Sequence, residues 1–213
     1  MQETLLLAIV FALSSGLLGF RGHAQSLRVL CVYAGLSLLS ELTAFYMTVH
    51  YKNNMPVFHF FSPALFTLLC LYFNWISTTV HKYKLGYISL IACIVISILN
   101  TIFLQPIKTM NSNYLLLEGL FGCGMALIAQ YDFLRDDDNP FIYRYIHFWM
   151  TLAILFHYLA TYIVYLVILF LKETNASRDD LTIAYIFLWL VAVITYLAIG
   201  ITFLIFHSKN KNG

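Results

Sequence analysis

Hydrophobic residues along this chain fall into seven long blocks that are separated by short polar connections. A helix needs about 20 predominantly apolar residues to cross the hydrocarbon core of a bilayer, and the blocks are close to that length or longer. The pattern predicts an all-α polytopic membrane protein, a seven-transmembrane-helix bundle forming a single domain over residues 1–213. The predicted spans cover residues 3–20, 27–49, 56–77, 85–104, 113–134, 144–171 and 181–207.

The first block raises a second interpretation, because LLLAIVFALSSGLLGF is followed shortly by the small residues of GHAQ. This order resembles a signal peptide ahead of a cleavage site. A signal peptide begins with a basic region, however, and the segment MQET offers only Glu3 as a charged side chain. We therefore expect the first block to be the first membrane span.

Composition agrees with a membrane location. Of the 213 residues, 61% are hydrophobic and only 10% are charged, and the mean hydropathy is +0.81, values far from those of a soluble domain. We expect an integral multi-pass protein of the cell membrane, the inner membrane if the source is bacterial, with the lipid bilayer as its first partner. The net charge of +2 is too small to indicate nucleic-acid binding.

The distribution of Lys and Arg predicts the orientation. Eight of the 12 lie in the first, third and fifth loops and the C-terminal tail, and the remaining four lie in the second, fourth and sixth loops. Because cytoplasmic loops carry the excess of basic residues, the N-terminus is expected outside and the C-terminus in the cytoplasm.

Two helix starts carry capping signals. Asn139 followed by Pro140 has the order of an N-cap and a first helical residue, which predicts that the sixth helix begins before Arg144. Ser177 and Asp180 have the spacing of a capping box, with Asp in place of the usual Glu or Gln.

Polar side chains recur at helical spacing inside four consecutive spans. Such side chains are costly in hydrocarbon, so they usually face the interior of a bundle and often mark function. With the predicted orientation, one hydrogen-bonding group from each of these spans falls at mid-membrane or in its outer part. The four are Glu41, His59, Asn100 and Glu118. Aromatic residues with polar atoms on the sixth and seventh spans are expected to wall this pocket; they are Tyr158, Tyr162, Tyr165, Tyr185 and Trp189.

Pro63 adds a backbone argument to the third span. Proline has no N–H to donate to the carbonyl four residues earlier, so we expect a kink and an unpaired carbonyl at His59. Each polar residue also has an ordinary structural role. His59 can face headgroups, Asn100 can join two helices, and the carboxyls can be satisfied by neighbouring hydroxyls. His157, in the sixth span, is expected to be a buried histidine of the core.

Known membrane chemistries are mostly excluded by the residues present. The seventh span has no lysine for a retinal Schiff base, and neither H-E-x-x-H nor G-x-S-x-G occurs in the chain. Glu41, His59 and Glu118 remain as a set whose ligand types suit Zn²⁺ or proton transfer. Zinc is thus the one cofactor that the sequence suggests.

Three segments carry a family resemblance: SELTAFY at 40–46, VFHFFSP at 57–63 and NSNYLLLEG at 111–119. On a seven-span chain of this length they resemble a group of short bacterial seven-helix inner-membrane proteins of unknown function. The resemblance implies that Glu41, His59, Asn113 and Glu118 belong to the pattern of that group. It implies no activity.

Three functions are compatible with these residues. The first is a seven-helix sensor or ligand-binding protein whose outward-facing pocket takes a small molecule or lipid and which signals through a membrane or cytoplasmic partner protein. The second is an intramembrane enzyme, metal-dependent in one version, that acts on a lipid or lipid-linked substrate. The third is a small proton-coupled transporter with Glu41 as the proton carrier.

Overall fold

The computed structural model of the chain describes residues 2–135 and 142–211, with side chains described as far as residue 207. This part of the chain is helical with no strand. The all-α prediction is therefore confirmed. The helices are α1 (Gln2–Leu18), α2 (Gln25–Tyr51), α3 (Met55–Ile76), α4 (Thr78–Lys82), α5 (Leu85–Leu99), α6 (Ser112–Leu134), α7 (Ile146–Glu173) and α8 (Arg178–Lys211).

Six of these helices are long and apolar enough to cross a membrane, as expected of an integral membrane protein. They are α2, α3, α5 with its continuation to Leu104, α6, α7 and α8. The first helix, α1, is apolar but has 17 residues, and so it is shorter than the other six.

Most predicted helix ends lie within a few residues of the observed ones. The sixth predicted helix is the main correction, because a 3-10 turn at Ile142–Arg144 precedes α7, which begins only at Ile146. Asn139 and Pro140 lie outside the described residues. The capping interaction at the start of α8 is present: the Asp180 N–H donates to Ser177 Oγ at 3.2 Å, and Ser177 Oγ donates to Asp180 Oδ2 at 2.7 Å.

The long helices form a closed ring. Each packs beside the next along the chain, α8 returns to pack against α1, and α3 also reaches α6 across the bundle. A glycine permits the closing contact: a Cβ on Gly200 would lie 2.5 Å from the Phe11 ring of α1. Small residues allow this approach because no side chain separates the two backbones.

Short polar contacts fix one end of the ring. Asp132 near the end of α6 accepts hydrogen bonds from Ser77 Oγ at 2.5 Å and from the Thr79 N–H and Oγ1 at 2.9 and 2.6 Å. The same Ser77 hydroxyl caps α4 by accepting from the Val80 N–H. These bonds attach the short helix α4 to α6 at one end of the ring. The long helices form the centre of the ring.

Candidate functional site: a central polar cavity

A cavity of about 200 Å³ lies inside the ring, between α1, α2, α3, α6, α7 and α8. Apolar residues such as Leu5 and Ala192 form part of its wall. The rest is polar, and the polar or hydroxyl-bearing lining residues are Tyr33, Ser37, Ser40, Glu41, Ser62, Glu118, His157, Tyr158, Thr161, Tyr165 and Tyr196. An apolar cavity with a few convergent polar groups is the usual form of a small-molecule site.

Glu118 has a buried, unpaired oxygen in this lining. Tyr158 donates its hydroxyl hydrogen to Glu118 Oε1 at a long 3.4 Å. The second oxygen, Oε2, is buried and has no hydrogen-bond partner among the described residues. An unpaired buried acceptor costs about 1–3 kcal/mol, so a donor that reached this oxygen through a movement of neighbouring side chains would recover that free energy.

Glu41 contributes a second carboxyl from α2. It is half-buried and lines the same cavity as Glu118. Ser37 and Ser40 lie beside it on the cavity-facing side of α2, and Ser37 donates its hydroxyl hydrogen to the Tyr33 carbonyl at 2.8 Å. Among the described residues, the lining thus holds two carboxyls and no Lys or Arg.

His157, rather than His59, is the histidine of this cavity. The Thr195 hydroxyl lies 3.5 Å from His157 Nδ1, and the ring lines the space shared by Glu41 and Glu118. The expectation of a plain core histidine was therefore incomplete. The signal in the sequence was the spacing of four between His157, Thr161 and Tyr165, which puts all three on one face of a helix.

His59 lies on a different side of α3. Its Nδ1 is 2.8 Å from Thr101 Oγ1, and its Nε2 donates to the Thr109 carbonyl at 3.0 Å. The ring borders a groove of about 280 Å³ with Pro63 and residues of α5 and its extension. His59 does not line the central cavity, because both ring nitrogens have partners toward α5. Helix α3 continues through Pro63 without a break.

The zinc set Glu41, His59 and Glu118 is consequently not assembled. Among residues 2–135 and 142–211 there is no group of three His, Cys, Asp or Glu side chains placed to hold a metal ion. Two of the three members share the cavity and the third is held on the other face of α3 by its own hydrogen bonds.

Asn100 also lies outside the cavity. It begins a π-helical turn, Asn100–Leu104, that extends α5, and it donates to Gln105 Oε1 at 3.1 Å and to Asn111 Oδ1 at 2.6 Å. Gln105 in turn donates to Ser112 Oγ at 2.8 Å. Asn100 therefore joins the end of α5 to the start of α6, which is the structural alternative considered for it.

The predicted aromatic wall is divided between several places. Tyr158 and Tyr165 line the cavity. Tyr162 packs against Gly119 of α6, while Trp189 packs against the core with its indole nitrogen buried and unpaired. Tyr185 borders a second cavity and directs its hydroxyl at Met110 Sδ, 3.8 Å away.

This second cavity adjoins the first. It has a volume of about 280 Å³ and reaches the ends of the helices at Asn54 and Asn111. Four side chains line both spaces and so form the partition between them: Phe58, Leu115, Tyr165 and Leu188. A route from the helix ends to Glu118 would pass these four side chains.

Comparison with known proteins gives no relative: no family model, curated protein or solved structure matches the chain. The described part of the chain is all-helical, and six of its helices are long and apolar enough to span a membrane. A cavity lined by Glu41 and Glu118 lies at its centre.

Proposed function

We propose that this protein is a seven-helix membrane receptor that binds a small amine with an apolar body in the central cavity. The unpartnered, buried Oε2 of Glu118 carries the proposal. A protonated amine supplies the missing donor and a charge opposite to that of the carboxylate, and such charge-assisted hydrogen bonds are stronger than neutral ones.

The rest of the lining supports the same chemistry. Glu41 adds a second carboxyl, and the described lining residues include no Lys or Arg that would compete with the ligand. Leu5, Leu65, Leu115 and Leu188 offer apolar contact. A volume of about 200 Å³ suits a compact molecule rather than a whole lipid.

The proposed topology has seven spans, with the N-terminus outside and the C-terminus cytoplasmic. Helix α1 completes the ring by packing against α2 and α8, which supports its place as the first span although it is short. With this orientation the second cavity, beside Asn54 and Asn111, opens to the outside. The connections between helices are short, so we assign the output to a partner protein that responds to helix movement.

Amine binding can be measured on the full chain in lipid nanodiscs. Small primary amines of graded apolar size, each paired with the alcohol of the same shape, are added while thermal unfolding is followed. We expect the amines to stabilise the protein and the alcohols to do so less, because only the amine carries the charge that Glu118 and Glu41 complement.

Substitutions then assign the effect to the cavity. Glu118→Gln is expected to weaken amine affinity at least about tenfold, which corresponds to about 1.4 kcal/mol, and Glu41→Gln is expected to weaken it less. Glu173→Gln is the matched control, because Glu173 is exposed at the end of α7. Equal affinities of the wild type and the Glu118→Gln/Glu41→Gln double variant would contradict the proposal.

A further inference from the structure

Two histidines meet at the seam where the ring closes, in a place unrelated to the central cavity. His23 lies in the connection between α1 and α2, and His207 lies near the end of α8. Both line a cavity of about 410 Å³ whose other walls are residues 17–22. It shares no lining residue with the central cavity.

The two rings point nitrogen atoms at the same space. A Cβ built on Gly19 would lie 2.9 Å from His207 Nδ1 and 3.0 Å from His23 Nε2. Its other close neighbour, Cε1 of His23 at 2.7 Å, belongs to the same pair of rings. The absence of a side chain at Gly19 therefore lets two imidazole nitrogens approach the same point beside its backbone.

One of these nitrogens lacks a hydrogen-bond partner in the described part of the chain. His23 Nε2 is buried and has no hydrogen-bond partner among the described residues. Burial lowers the pKa of His23, which favours the neutral ring. A neutral imidazole with an unpaired ring nitrogen can bind a metal ion through that nitrogen.

The local backbone holds His23 in this position. The Gly19 carbonyl accepts from the N–H groups of Gly22 at 2.9 Å and His23 at 3.1 Å, which forms a tight turn. The His23 ring lies against the Phe203 ring of α8, with centroids 5.4 Å apart. Both histidines are thus attached to the α1–α8 seam.

We propose that His23 Nε2 and His207 Nδ1 bind a transition-metal ion, Zn²⁺ or a related imidazole-preferring ion, that clips the α1–α2 connection to the end of α8. Metal–nitrogen bonds are about 2.0–2.1 Å long, so both imidazole nitrogens must turn toward one shared position beside the Gly19 backbone. Water completes the coordination, because the described residues offer no third His, Cys, Asp or Glu at this place.

The residues that line this space favour metal ions that bind imidazole over those that bind carboxylate oxygen. Arg21 lines the space, and Arg28 donates from Nη2 to the Arg21 carbonyl at 3.0 Å. A hard, oxygen-seeking ion such as Mg²⁺ or Ca²⁺ prefers carboxylate oxygens, and the described residues that line this space include no Asp or Glu. Zn²⁺, Ni²⁺ and Cu²⁺ form strong bonds to imidazole.

Zinc titration of the full chain in neutral-lipid nanodiscs, purified without a polyhistidine tag and stripped with a chelator, tests the site. We expect one equivalent of Zn²⁺ to bind and to raise the unfolding temperature, because binding to the folded state alone stabilises it. Mg²⁺ at the same concentration should leave the unfolding temperature unchanged.

Three variants locate the ion. His23→Ala and His207→Ala should each weaken zinc affinity at least about tenfold, a loss in the range seen when a metal site is perturbed. Gly19→Ala retains both imidazoles but fills the space between them, and it should weaken binding to the same degree. Gly19 lacks a positive φ, so its backbone accepts alanine.

His50→Ala is the matched control, because His50 is exposed at the opposite end of α2. It should bind zinc as the wild type does. The proposal is overturned if the wild type binds no zinc, if His207→Ala binds it with unchanged affinity, or if Gly19→Ala does so. In the last two cases other histidines hold the ion.

Discussion

Two glycines on α6 set the distance at which α7 presents its tyrosines to Glu118. A Cβ on Gly122 would lie 2.5 Å from Cδ2 of Tyr158, and one on Gly119 would lie 3.3 Å from Cδ2 of Tyr162. The missing side chains let α7 pack close to α6. This packing brings the Tyr158 hydroxyl to Glu118 Oε1.

Gly122→Ala is therefore expected to destabilise the protein by about 1–3 kcal/mol, the usual cost of overpacking a well-filled core. The added methyl group collides with the Tyr158 ring and separates α6 from α7. Equilibrium unfolding in mixed micelles measures the change in free energy.

Gly124→Ala provides the comparison on the same helix, because nothing lies within 4 Å of its Cβ position. Alanine favours helix over glycine by about 1 kcal/mol, so this variant should be as stable as the wild type or more so. Equal destabilisation by the two substitutions would show that close packing at Tyr158 is not the cause.

Among the helices, the junction between α5 and α6 depends on side-chain amides rather than on apolar packing. Asn100 is buried and donates to both Asn111 and Gln105. Gln105 Oε1 also accepts from the backbone N–H of Asn113. These bonds hold the π-helical turn against the first turn of α6, next to His59.

Asn100→Ala is expected to lower the free energy of unfolding by about 1–3 kcal/mol, because the buried side-chain amide oxygen of Asn111, Oδ1, loses its donor. Hydrogen exchange should accelerate at the π-helical turn, residues 100–104, and at the start of α6. Mass spectrometry of peptic peptides measures both regions.

Asn113→Ala is the control for this junction. Asn113 is exposed and its side-chain bond to Asn100 is 3.5 Å long, whereas its backbone bond to Gln105 survives the substitution. The exchange rates should change little. Similar acceleration in both variants would contradict the role given to Asn100.

For the molecule as a whole, the side of the membrane that holds the N-terminus depends on whether α1 crosses. If α1 crosses, residue 2 lies outside the membrane, on the same side as Lys108. If only the six longer helices cross, residue 2 lies inside, on the same side as Lys82. All three residues are exposed, and Gln2→Cys, Lys108→Cys and Lys82→Cys make their positions accessible to a thiol reagent.

We expect a membrane-impermeant reagent applied to intact cells to label Gln2→Cys and Lys108→Cys but not Lys82→Cys. The native chain is the baseline, since three of its four cysteines are buried and the fourth is half-buried. If Lys108→Cys is labelled and Gln2→Cys is not, the bundle has six crossings and the proposal of seven spans is wrong.

The helices and most of their ends follow from the order of the residues, because the length of an apolar block and its flanking polar residues are local properties. The same reasoning identified Glu41 and Glu118 as interior residues, since a carboxyl in an apolar helix seeks the inside of a bundle.

Which polar residues meet depends instead on how the helices pack. The sequence of a span does not specify how its helix is rotated about its own axis. In α3 the rotation places His59 against Thr101 and Thr109. In α7 it places His157 at the central cavity. The pairing of His23 with His207 likewise depends on the ring closing between α1 and α8. Contacts between residues so distant along the chain are set by how whole helices pack, which local periodicity does not contain.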